Sequence, residues 1–223
     1  MEKQKTPLLY LGGDIMTRGS NLARQEEYDK FIEANIPVNV YSPVMNKSIN
    51  DKSNMTEEEN NHLAEKIVEA DVNRLWNSDY TVLCPEQSAI GTMCEMAILY
   101  GWKYMLDAIG KEAKELFHQK YDSDEVYARL AKNYKDMTQE EKAYMFDCFY
   151  EVMNHQWNKK NYAHYFDIRT NHLNEKDWRR SFSINQFLYG VTLAATADNT
   201  LHNSFDEIIP ILQEQFKEGK NEV

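Results

Sequence analysis

Short apolar runs alternate with longer stretches of helical periodicity through the first half of the chain. Residues 7–11, 38–41 and 80–84 form the runs, and a glycine or proline follows each one closely, as at the end of a buried strand. Between the runs, apolar residues recur every three or four positions, which predicts helices with one buried face. The pattern therefore predicts alternating strands and helices.

Polar residues mark where the predicted helices begin. Ser20 is predicted to cap one helix, and Thr56 with Glu59 forms a capping box for a helix that continues to about Trp76. A fourth strand is predicted at residues 103–109. The order βαβαβαβ predicts an α/β fold with a doubly wound, mainly parallel open sheet of the flavodoxin or Rossmann kind.

Residues 110–176 interrupt this alternation. They are charged, helical in periodicity and crowded with aromatic residues. This composition predicts a large helical insertion into an α/β domain made of residues 1–109 and 177–223. The aromatic side chains are expected to pack against one another or against another subunit.

The end of the chain is predicted to contain a further strand and a helix. Residues 182–193 are predicted as a last strand and turn. Ser204 is predicted to cap a helix over residues 205–216. Pro210, inside that helix, should kink it or delay its start because proline lacks a backbone N–H.

Composition and charge narrow the class of partner. The formal net charge of −11 argues against duplex DNA or an anionic membrane, which leaves a small ligand as the simplest partner. No apolar segment approaches the length of a membrane span, and the charged first residues do not resemble a signal peptide. Three cysteines without paired spacing do not suggest a disulfide framework, so a cytoplasmic protein is expected.

The histidines do not indicate a metal centre. Five of them lie in the second half of the chain without the spacing of metal ligands, and they are predicted at the surface: His118, His155, His164, His172 and His202. No metal and no cofactor are therefore expected.

The first strand is followed by Gly12-Gly13-Asp14, a predicted turn that would let a ligand approach the backbone closely. The third glycine of a dinucleotide-binding fingerprint is missing at its required spacing, so a dinucleotide site is not predicted. Gly13 and Asp14 are candidates for contact with a smaller ligand.

The segment Gly91-Thr92-Met93-Cys94-Glu95-Met96-Ala97 follows the buried run 80–84 and carries the main candidate for chemistry. Gly91 allows a sharp turn and Thr92 opens a helix. Glu95 is then predicted in the first helical turn, at the carboxyl edge of the sheet, where open α/β folds bind ligands. Thr92 and Glu95 fit a capping box, in which the carboxylate only bonds a free backbone N–H. The other interpretation is a carboxylate held ionised by the positive end of the helix and able to act as a nucleophile.

Several short motifs occur together in one order along the chain. They are Leu9-Tyr10-Leu11-Gly12-Gly13-Asp14, the pair Asp71 and Asp79, Gly91-x-x-x-Glu95-Met96, and Ile184-Asn185 with Gly190-Val191 beyond it. In this order and spacing they resemble the nucleoside 2-deoxyribosyltransferase family. The resemblance covers roughly residues 8–109 and 180–215 and leaves the predicted insertion outside.

The resemblance implies a covalent route for sugar transfer. A glutamate in the place of Glu95 attacks C1′ of a 2′-deoxynucleoside, the free base leaves, and a second base collects the sugar with overall retention. The transition state is oxocarbenium-like, so a nearby carboxylate stabilises it before bonding to it. The family's aspartate matching Asp71 lies close to the leaving base, and the tyrosine matching Tyr10 lines the pocket.

The resemblance also implies further contacts and an assembly. Gly13 and Asp14 are expected at the substrate, and an asparagine matching Asn185 reaches the sugar 5′-hydroxyl from a neighbouring subunit, which implies a homo-oligomer. The implied partners are deoxynucleosides and free nucleobases, with neither nucleic acid nor membrane. Two positions depart from the family, because Ala89 stands where it usually has a base-recognising aspartate and Ala97 where it usually has a glycine.

Two alternatives follow from the same residues. One is a hydrolase that cleaves the N-glycosidic bond of a deoxynucleoside or its 5′-monophosphate, for which Arg18, Ser20 and Ser88 are candidate phosphate donors. The other is an inactive ligand-binding or assembly protein, which the Ala89 change and the aromatic insertion favour and the intact Glu95 opposes.

Overall fold

Two compact units make up the chain, one of residues 1–100 and 159–223 and one of residues 101–158. A computed structural model describes residues 6–47, 56–86, 88–118, 138–139, 153–165 and 184–218. The first unit holds the sheet and every candidate site residue, whereas the second holds most of the segment predicted as an insertion. Most of the aromatic residues expected to pack in that segment lie outside the described residues.

A five-stranded sheet forms the centre of the first unit. Its strands are β1 (Leu8–Gly13), β2 (Asn39–Tyr41), β3 (Tyr80–Cys84), β4 (Lys160–His164) and β5 (Leu201–His202). The order across the sheet is β2-β1-β3-β4-β5, and every neighbouring pair is parallel. This order confirms the predicted doubly wound α/β fold. It creates a switch point between β1 and β3, whose carboxyl ends border the crevice where such folds bind ligands.

Helices connect the strands and flank the sheet. They are α1 (Arg18–Glu33), α2 (Glu57–Asn61), α3 (Leu63–Asn77), α4 (Ile90–His118), α5 (Gln186–Ala195) and α6 (Ile208–Glu218). Short 3₁₀ turns follow β2 at Pro43–Met45 and precede α6 at Phe205–Glu207. Within the described ranges, no helix is both long enough and apolar enough to cross a membrane.

The fourth strand lies elsewhere than predicted. The prediction of a strand at residues 103–109 is wrong, because these residues continue helix α4, where no proline interrupts the helical run. The fourth strand is β4, inside the segment predicted as a helical insertion. Its buried Asn161 accepts a hydrogen bond from Thr81 Oγ1 at 2.9 Å and donates one to the Ala195 carbonyl at 3.2 Å. Periodicity could not reveal this strand, because partners distant in the chain satisfy its polar side chains.

The last part of the chain also differs from the prediction. Residues 186–195 form helix α5 rather than a strand and turn, the last strand is β5, and residues 182–183 lie outside the described part. Ser204 precedes the final helical segment as predicted, although its side chain makes no capping hydrogen bond. Pro210 lies in the first turn of α6, after a 3₁₀ turn that delays the start of this helix. A proline there costs no hydrogen bond, because N–H groups of a first turn have no intrahelical acceptor.

Capping boxes mark two helix starts. Thr56 and Glu59 form the predicted box, which opens the short α2 before α3 begins. Helix α1 starts before the predicted Ser20, because Thr17 is its N-cap residue. Ser20 completes that box from inside the helix, where its hydroxyl oxygen accepts from the Thr17 N–H at 3.1 Å.

The two faces of β1 carry different chemistry. Leu9 and Leu11 join the main hydrophobic core with residues from α1 and the loop after it, from β3 and β4, and from α6 and the 3₁₀ turn before it: Phe31, Ile36, Val82, Tyr162, Phe205, Ile208 and Leu212. Because side chains alternate along a strand, Tyr10 and Gly12 face the opposite side of the sheet. The core therefore holds β1 in a register that directs Tyr10 away from it, toward α4.

Lys159, just before β4, supports the end of helix α3. It is 7% exposed, and its Nζ donates to the carbonyls of Leu75 at 2.5 Å and Trp76 at 2.9 Å. Carbonyls in the last turn of a helix have no intrahelical donor, so this lysine satisfies two of them. Burial lowers the pKa of the Lys159 amine to about 7, and both its charged and its neutral form can donate.

We expect Lys159→Met to lower the free energy of unfolding by about 1–3 kcal/mol, because the buried Leu75 carbonyl and the partly buried Trp76 carbonyl lose this donor. Urea unfolding of both proteins measures the difference. Lys160→Met, at the exposed next position, is the matched control and should change the free energy by less than about 0.5 kcal/mol. Equal losses in the two variants would show that the contact with α3 does not stabilise the fold.

Candidate active site

A hydrogen bond joins β1 to helix α4 at the switch point of the sheet. The Tyr10 hydroxyl donates to Glu95 Oε1 at 2.6 Å, although the two residues are 85 positions apart in the chain. Tyr10 is fully buried, whereas Glu95 lies in the second turn of α4 and is partly exposed. The structure thus brings two of the predicted site residues into direct contact.

Burial changes the acidity of Glu95. Its Oε2 atom is buried and has no hydrogen-bond partner within the described residues. Burial raises the pKa of the carboxyl from 4.5 to about 7, the hydrogen bond from Tyr10 opposes this rise, and the charge of Asp71 adds to it. Near neutral pH both protonation states of Glu95 are therefore populated, and the ionised one carries a nucleophilic oxygen.

Three predictions about the setting of Glu95 are wrong. Helix α4 begins at Ile90, so Glu95 lies in its second turn rather than its first, and Thr92 is inside the helix. Among the described residues, neither Glu95 oxygen makes the capping bond to a backbone N–H, since Oε1 accepts from Tyr10 and Oε2 has no partner. The end of the helix does not hold Glu95 ionised either, because desolvation raises its pKa.

Gly12 provides the space in which Tyr10 and Glu95 meet. A Cβ atom at this position would lie 2.8 Å from Tyr10 Cε1, 2.9 Å from Leu83 Cδ2 and 3.1 Å from Glu95 Oε2. Gly12 and Gly13 are the last two residues of β1 and neither has a positive φ, so the predicted turn at this pair is wrong. Close packing of protein side chains explains the absence of a side chain at Gly12.

Asp71, on α3, is held by Tyr41 at the end of β2. The Tyr41 hydroxyl donates to Asp71 Oδ1 at 3.1 Å and accepts from Asn46 Nδ2 at 3.2 Å. Burial raises the pKa of Asp71, and the hydrogen bond from Tyr41 acts in the opposite direction. The Arg74 guanidinium lies over the Tyr41 ring, 5.1 Å from its centroid, in a cation–π contact.

An aromatic contact joins the two carboxylates of the site. The rings of Tyr10 and Tyr41 lie with their centroids 5.6 Å apart and their planes tilted by 35°. Three successive contacts therefore link Glu95 to Tyr10, Tyr10 to Tyr41, and Tyr41 to Asp71. The Asp71 charge contributes to the raised pKa of both Tyr10 and Glu95. The sequence indicated the other members of this series but not Tyr41, whose only signal was its place at the end of a predicted strand.

A second buried polar cluster lies beside Gly13, on the face of the sheet that α1 covers. Arg24 is 4% exposed, and its Nη2 donates to Glu27 Oε1 at 2.6 Å. His164 Nε2 lies 3.4 Å from the same oxygen of Glu27. A Cβ atom at Gly13 would come within 2.1 Å of Arg24 Nη1, so this arginine explains the second glycine. No sequence pattern indicates this cluster, since an Arg and a Glu on a helix usually lie at the surface.

The prediction of surface histidines is wrong for two of the five. His164 is 3% exposed and His202 is 9% exposed. His202 lies between two carboxylates, at 2.9 Å and 3.5 Å from its ring nitrogens. His155 is partly exposed, and His172 and the side chain of His118 lie outside the described residues. Within the described residues, no three or more His, Cys, Asp or Glu side chains form a group that could hold a metal ion.

Asp14 and the candidate phosphate donors lie around the start of α1. Asp14 is 5% exposed, its Oδ1 accepts from the Met16 N–H at 3.0 Å, and Ser88 Oγ lies 3.5 Å from its Oδ2. Ser20 is engaged in the capping box, and Arg18 is exposed as the first residue of α1. The Asp14 carboxylate beside Ser88 would repel a phosphate bound at that serine.

Asn185 has a capping role at the start of α5. Its Oδ1 accepts from the backbone N–H groups of Phe187 at 2.9 Å and Leu188 at 3.3 Å. Asn185 also lines an apolar groove together with Met93, Ala97, Phe187, Leu188 and Val191. Phe187 is 82% exposed, so this groove presents a large apolar side chain to its surroundings. Contact of Asn185 with the substrate of a partner subunit stays a prediction.

Asp79 and Ala89 have structural settings. Asp79 Oδ2 accepts from the Leu8 N–H at 2.8 Å and so ties β1 to the residue before β3 at the amino edge of the sheet. Ala89 is 3% exposed, so an aspartate at this position would have to bury its carboxylate. Asp79 therefore lies at the edge opposite to the crevice.

We expect Gly12→Ala to lower the free energy of unfolding by about 1–3 kcal/mol, the range for overpacking a core, because the added methyl group displaces Tyr10 or Leu83. Urea unfolding measures the loss. Gly91→Ala is the matched control. A Cβ atom at Gly91 would meet nothing within 4 Å, and Gly91 lies within helix α4. That control should be neutral or stabilising by up to about 1 kcal/mol. A Gly12→Ala protein as stable as the wild type would contradict the packing described here.

The raised pKa of Glu95 predicts a pH-dependent stability. Between pH 4.5 and about 7 the folded protein binds the Glu95 proton more tightly than the unfolded chain does, so stability falls as pH rises through this window. Glu95→Gln removes this titration and keeps an oxygen that can accept from Tyr10. We expect the variant to match the wild type below this window and to exceed it at pH 8 by up to about 3 kcal/mol.

Unfolding at two pH values, one below and one above this window, tests the Glu95 titration. Glu69→Gln, at an exposed position of α3, is the control for loss of one negative charge. If the advantage of Glu95→Gln over the wild type is the same at both pH values, Glu95 does not titrate in this window.

Comparison with known proteins supports the fold. No protein-family model matches the chain, and no curated protein matches it. A crystal structure of a conserved protein from Enterococcus faecalis V583 is similar, with a TM-score of 0.54 and 13% sequence identity over 95% of this chain and 99% of that chain. At this identity the likeness shows a shared α/β fold.

Proposed function

We propose that this protein transfers 2-deoxyribose between nucleobases through a covalent deoxyribosyl ester on Glu95. The observation that carries the proposal is the buried Tyr10–Glu95 pair, in which a carboxyl with a pKa of about 7 lies at the switch point of a parallel sheet. A carboxyl with a strongly shifted pKa in a ligand crevice is a feature of catalytic sites. A second carboxylate, Asp71, lies close enough to raise that pKa, and retaining glycosyl transfer uses two carboxylates.

In the first step of the proposed reaction, Glu95 acts in its ionised form. A carboxylate oxygen attacks C1′ of the deoxynucleoside and forms an ester bond while the C1′–N bond breaks, and the bonding electron pair stays on the base nitrogen. The reactive form of the site carries its proton on Asp71 rather than on Glu95, a minor form because the Glu95 pKa is about 7 and the Asp71 charge adds to that value. Asp71 supplies this proton to the base nitrogen. The negative carboxylate stabilises the positive charge that develops on the sugar ring.

In the second step, a ring nitrogen of the incoming base attacks C1′ from the face that the first base left. The ester C–O bond breaks, the Glu95 carboxylate is restored, and the proton of the incoming nitrogen passes to Asp71. Two inversions at C1′ give overall retention. Tyr10 donates to the free carboxylate before and after the reaction and holds it in one orientation.

The substrate proposed is an unphosphorylated deoxynucleoside. The Asp14 carboxylate beside Ser88 disfavours the phosphate of a 5′-monophosphate. The hydrolase alternative shares the first step and differs only in the second, where water instead of a base attacks C1′. Product analysis therefore separates the two reactions.

A homo-oligomer is part of the proposal. The apolar groove beside Asn185 supports it, because Phe187 in its lining is 82% exposed and the other side chains that line it are mainly apolar. Exposed apolar side chains grouped in this way are typical of subunit contacts. The proposed location is the cytoplasm, in keeping with the free thiols of Cys84 and Cys94.

Incubation with a deoxynucleoside, with and without a second free base, tests the proposal. We expect a new deoxynucleoside only when the second base is present, and an ester-linked deoxyribosyl group on Glu95 detectable by mass spectrometry when it is absent. Glu95→Gln should lower base release by about three orders of magnitude or more, because the nucleophile is lost.

Glu69→Gln is the control in this assay as well, and it should keep wild-type turnover. Free deoxyribose in place of the new nucleoside would identify the hydrolase. No base release with any deoxynucleoside would favour the inactive binding protein, and near-wild-type turnover by Glu95→Gln would exclude Glu95 as the nucleophile.

A further inference from the structure

The hydroxyl of Tyr41 has a defined direction at the end of β2. It accepts a hydrogen bond from Asn46 Nδ2 at 3.2 Å, so its own proton is left to be donated to Asp71 Oδ1 at 3.1 Å. Because the Asn46 amide donates on one side and the Asp71 carboxylate accepts on the other, the Tyr41 hydroxyl proton has one direction, toward Asp71. The bond therefore fixes one oxygen of Asp71.

Two groups hold the Tyr41 ring in place. The Tyr10 ring lies 5.6 Å away between centroids, and the Arg74 guanidinium lies 5.1 Å from the Tyr41 centroid. Tyr10 is itself fully buried and bonded to Glu95. The position of Tyr41 is therefore set relative to the nucleophile as well as to Asp71.

We propose that Tyr41 is a positioning residue that aims the Asp71 carboxyl at the nitrogen of the leaving base, an inference that rests on the proposed function above. With Oδ1 of Asp71 engaged by Tyr41, Oδ2 is the oxygen that exchanges the proton with the base. Tyr41 itself touches neither sugar nor base in this scheme and acts through Asp71.

The charges around Asp71 define what loss of the Tyr41 hydroxyl does. Tyr41 from β2 lowers the pKa of Asp71 by its hydrogen bond, against burial, which raises it. Within the described ranges, the other titratable or charged groups that interact with Asp71, Tyr41 or Glu95 here are Tyr10 from β1, Glu95 from α4 and Arg74 on the same helix as Asp71. Loss of the Tyr41 hydroxyl leaves these groups in place and removes only the hydrogen bond that lowers the pKa of Asp71. This pKa should therefore rise.

Tyr41→Phe isolates the hydroxyl from the ring. Phenylalanine keeps the packing against Tyr10 and the face under Arg74, so the variant retains the shape of the site. Tyr80→Phe is the matched control, because Tyr80 is a partly buried strand tyrosine that packs on Phe216, away from the crevice. Near-wild-type unfolding of both variants confirms that they fold.

The first test needs no substrate. Wild type, Tyr41→Phe and Tyr80→Phe are labelled with ¹³Cγ-aspartate, and the Asp71 resonance, assigned by its absence in Asp71→Asn, is followed as a function of pH. We expect the Asp71 titration to move to higher pH in Tyr41→Phe alone. An Asp71 titration that is the same in all three proteins would overturn the proposal.

The second test is a double-mutant cycle in the base-release assay. Tyr41→Phe should lower kcat about threefold to tenfold, the size expected for loss of one hydrogen bond to the neutral Asp71 carboxyl of the base-release step, with KM changed less than kcat. In the Asp71→Asn variant, Tyr41→Phe should change kcat by less than about twofold, because the carboxyl through which Tyr41 acts is already absent.

Equal fold-losses in the presence and absence of the Asp71 carboxylate would overturn the positioning role, since a purely structural effect is independent of that group. Failure of the proposed function is a separate outcome. In that case the wild type releases no base, while the aspartate titration still reports whether Tyr41 controls the ionisation of Asp71.

Discussion

Withdrawal of the Glu95 carboxyl from water is the constraint on which the site depends. A buried carboxylate is costly unless donors reach it. Among the residues that the structure describes, one donor, the Tyr10 hydroxyl, reaches one of the two Glu95 oxygens. The remaining cost appears as a pKa of about 7. Gly12 is required by the same arrangement, since any side chain there would occupy the space that the pair shares.

The alternation of β1 connects this site to the rest of the first unit. Leu9 and Leu11 anchor the strand in the hydrophobic core under α1 and α6, and Tyr10, which lies between them, faces α4. The two consecutive glycines follow the same alternation, because Gly12 makes room for Glu95 on one face and Gly13 for Arg24 on the other. A slip of β1 by one residue would therefore disturb the core and the site together.

The two tyrosines of the site have different physical roles. The Tyr10 hydroxyl donates to Glu95, the carboxyl whose ionised form burial destabilises more. The Tyr41 hydroxyl donates to Asp71, and the Tyr41 ring packs on Tyr10. The charge of Asp71 contributes to the raised pKa of Glu95, so the protonation of one carboxyl affects the other. Such coupling suits a reaction in which one carboxyl must be ionised while the other carries a proton.

The sequence by itself determined the features that depend on neighbours in the chain. The run 80–84 is β3, the Thr56–Glu59 box opens a helix, and the alternation of the first half produces the parallel sheet, because periodicity and capping act over a few residues. It also placed Tyr10 on a strand and Glu95 on a helix. The carboxyl end of that strand and the amino end of that helix meet at the switch point. Only the tertiary structure decided the strand at 160–164, the burial of His164 and the role of Tyr41. Each of these depends on hydrogen-bond partners or packing neighbours far away in the sequence, which no local pattern encodes.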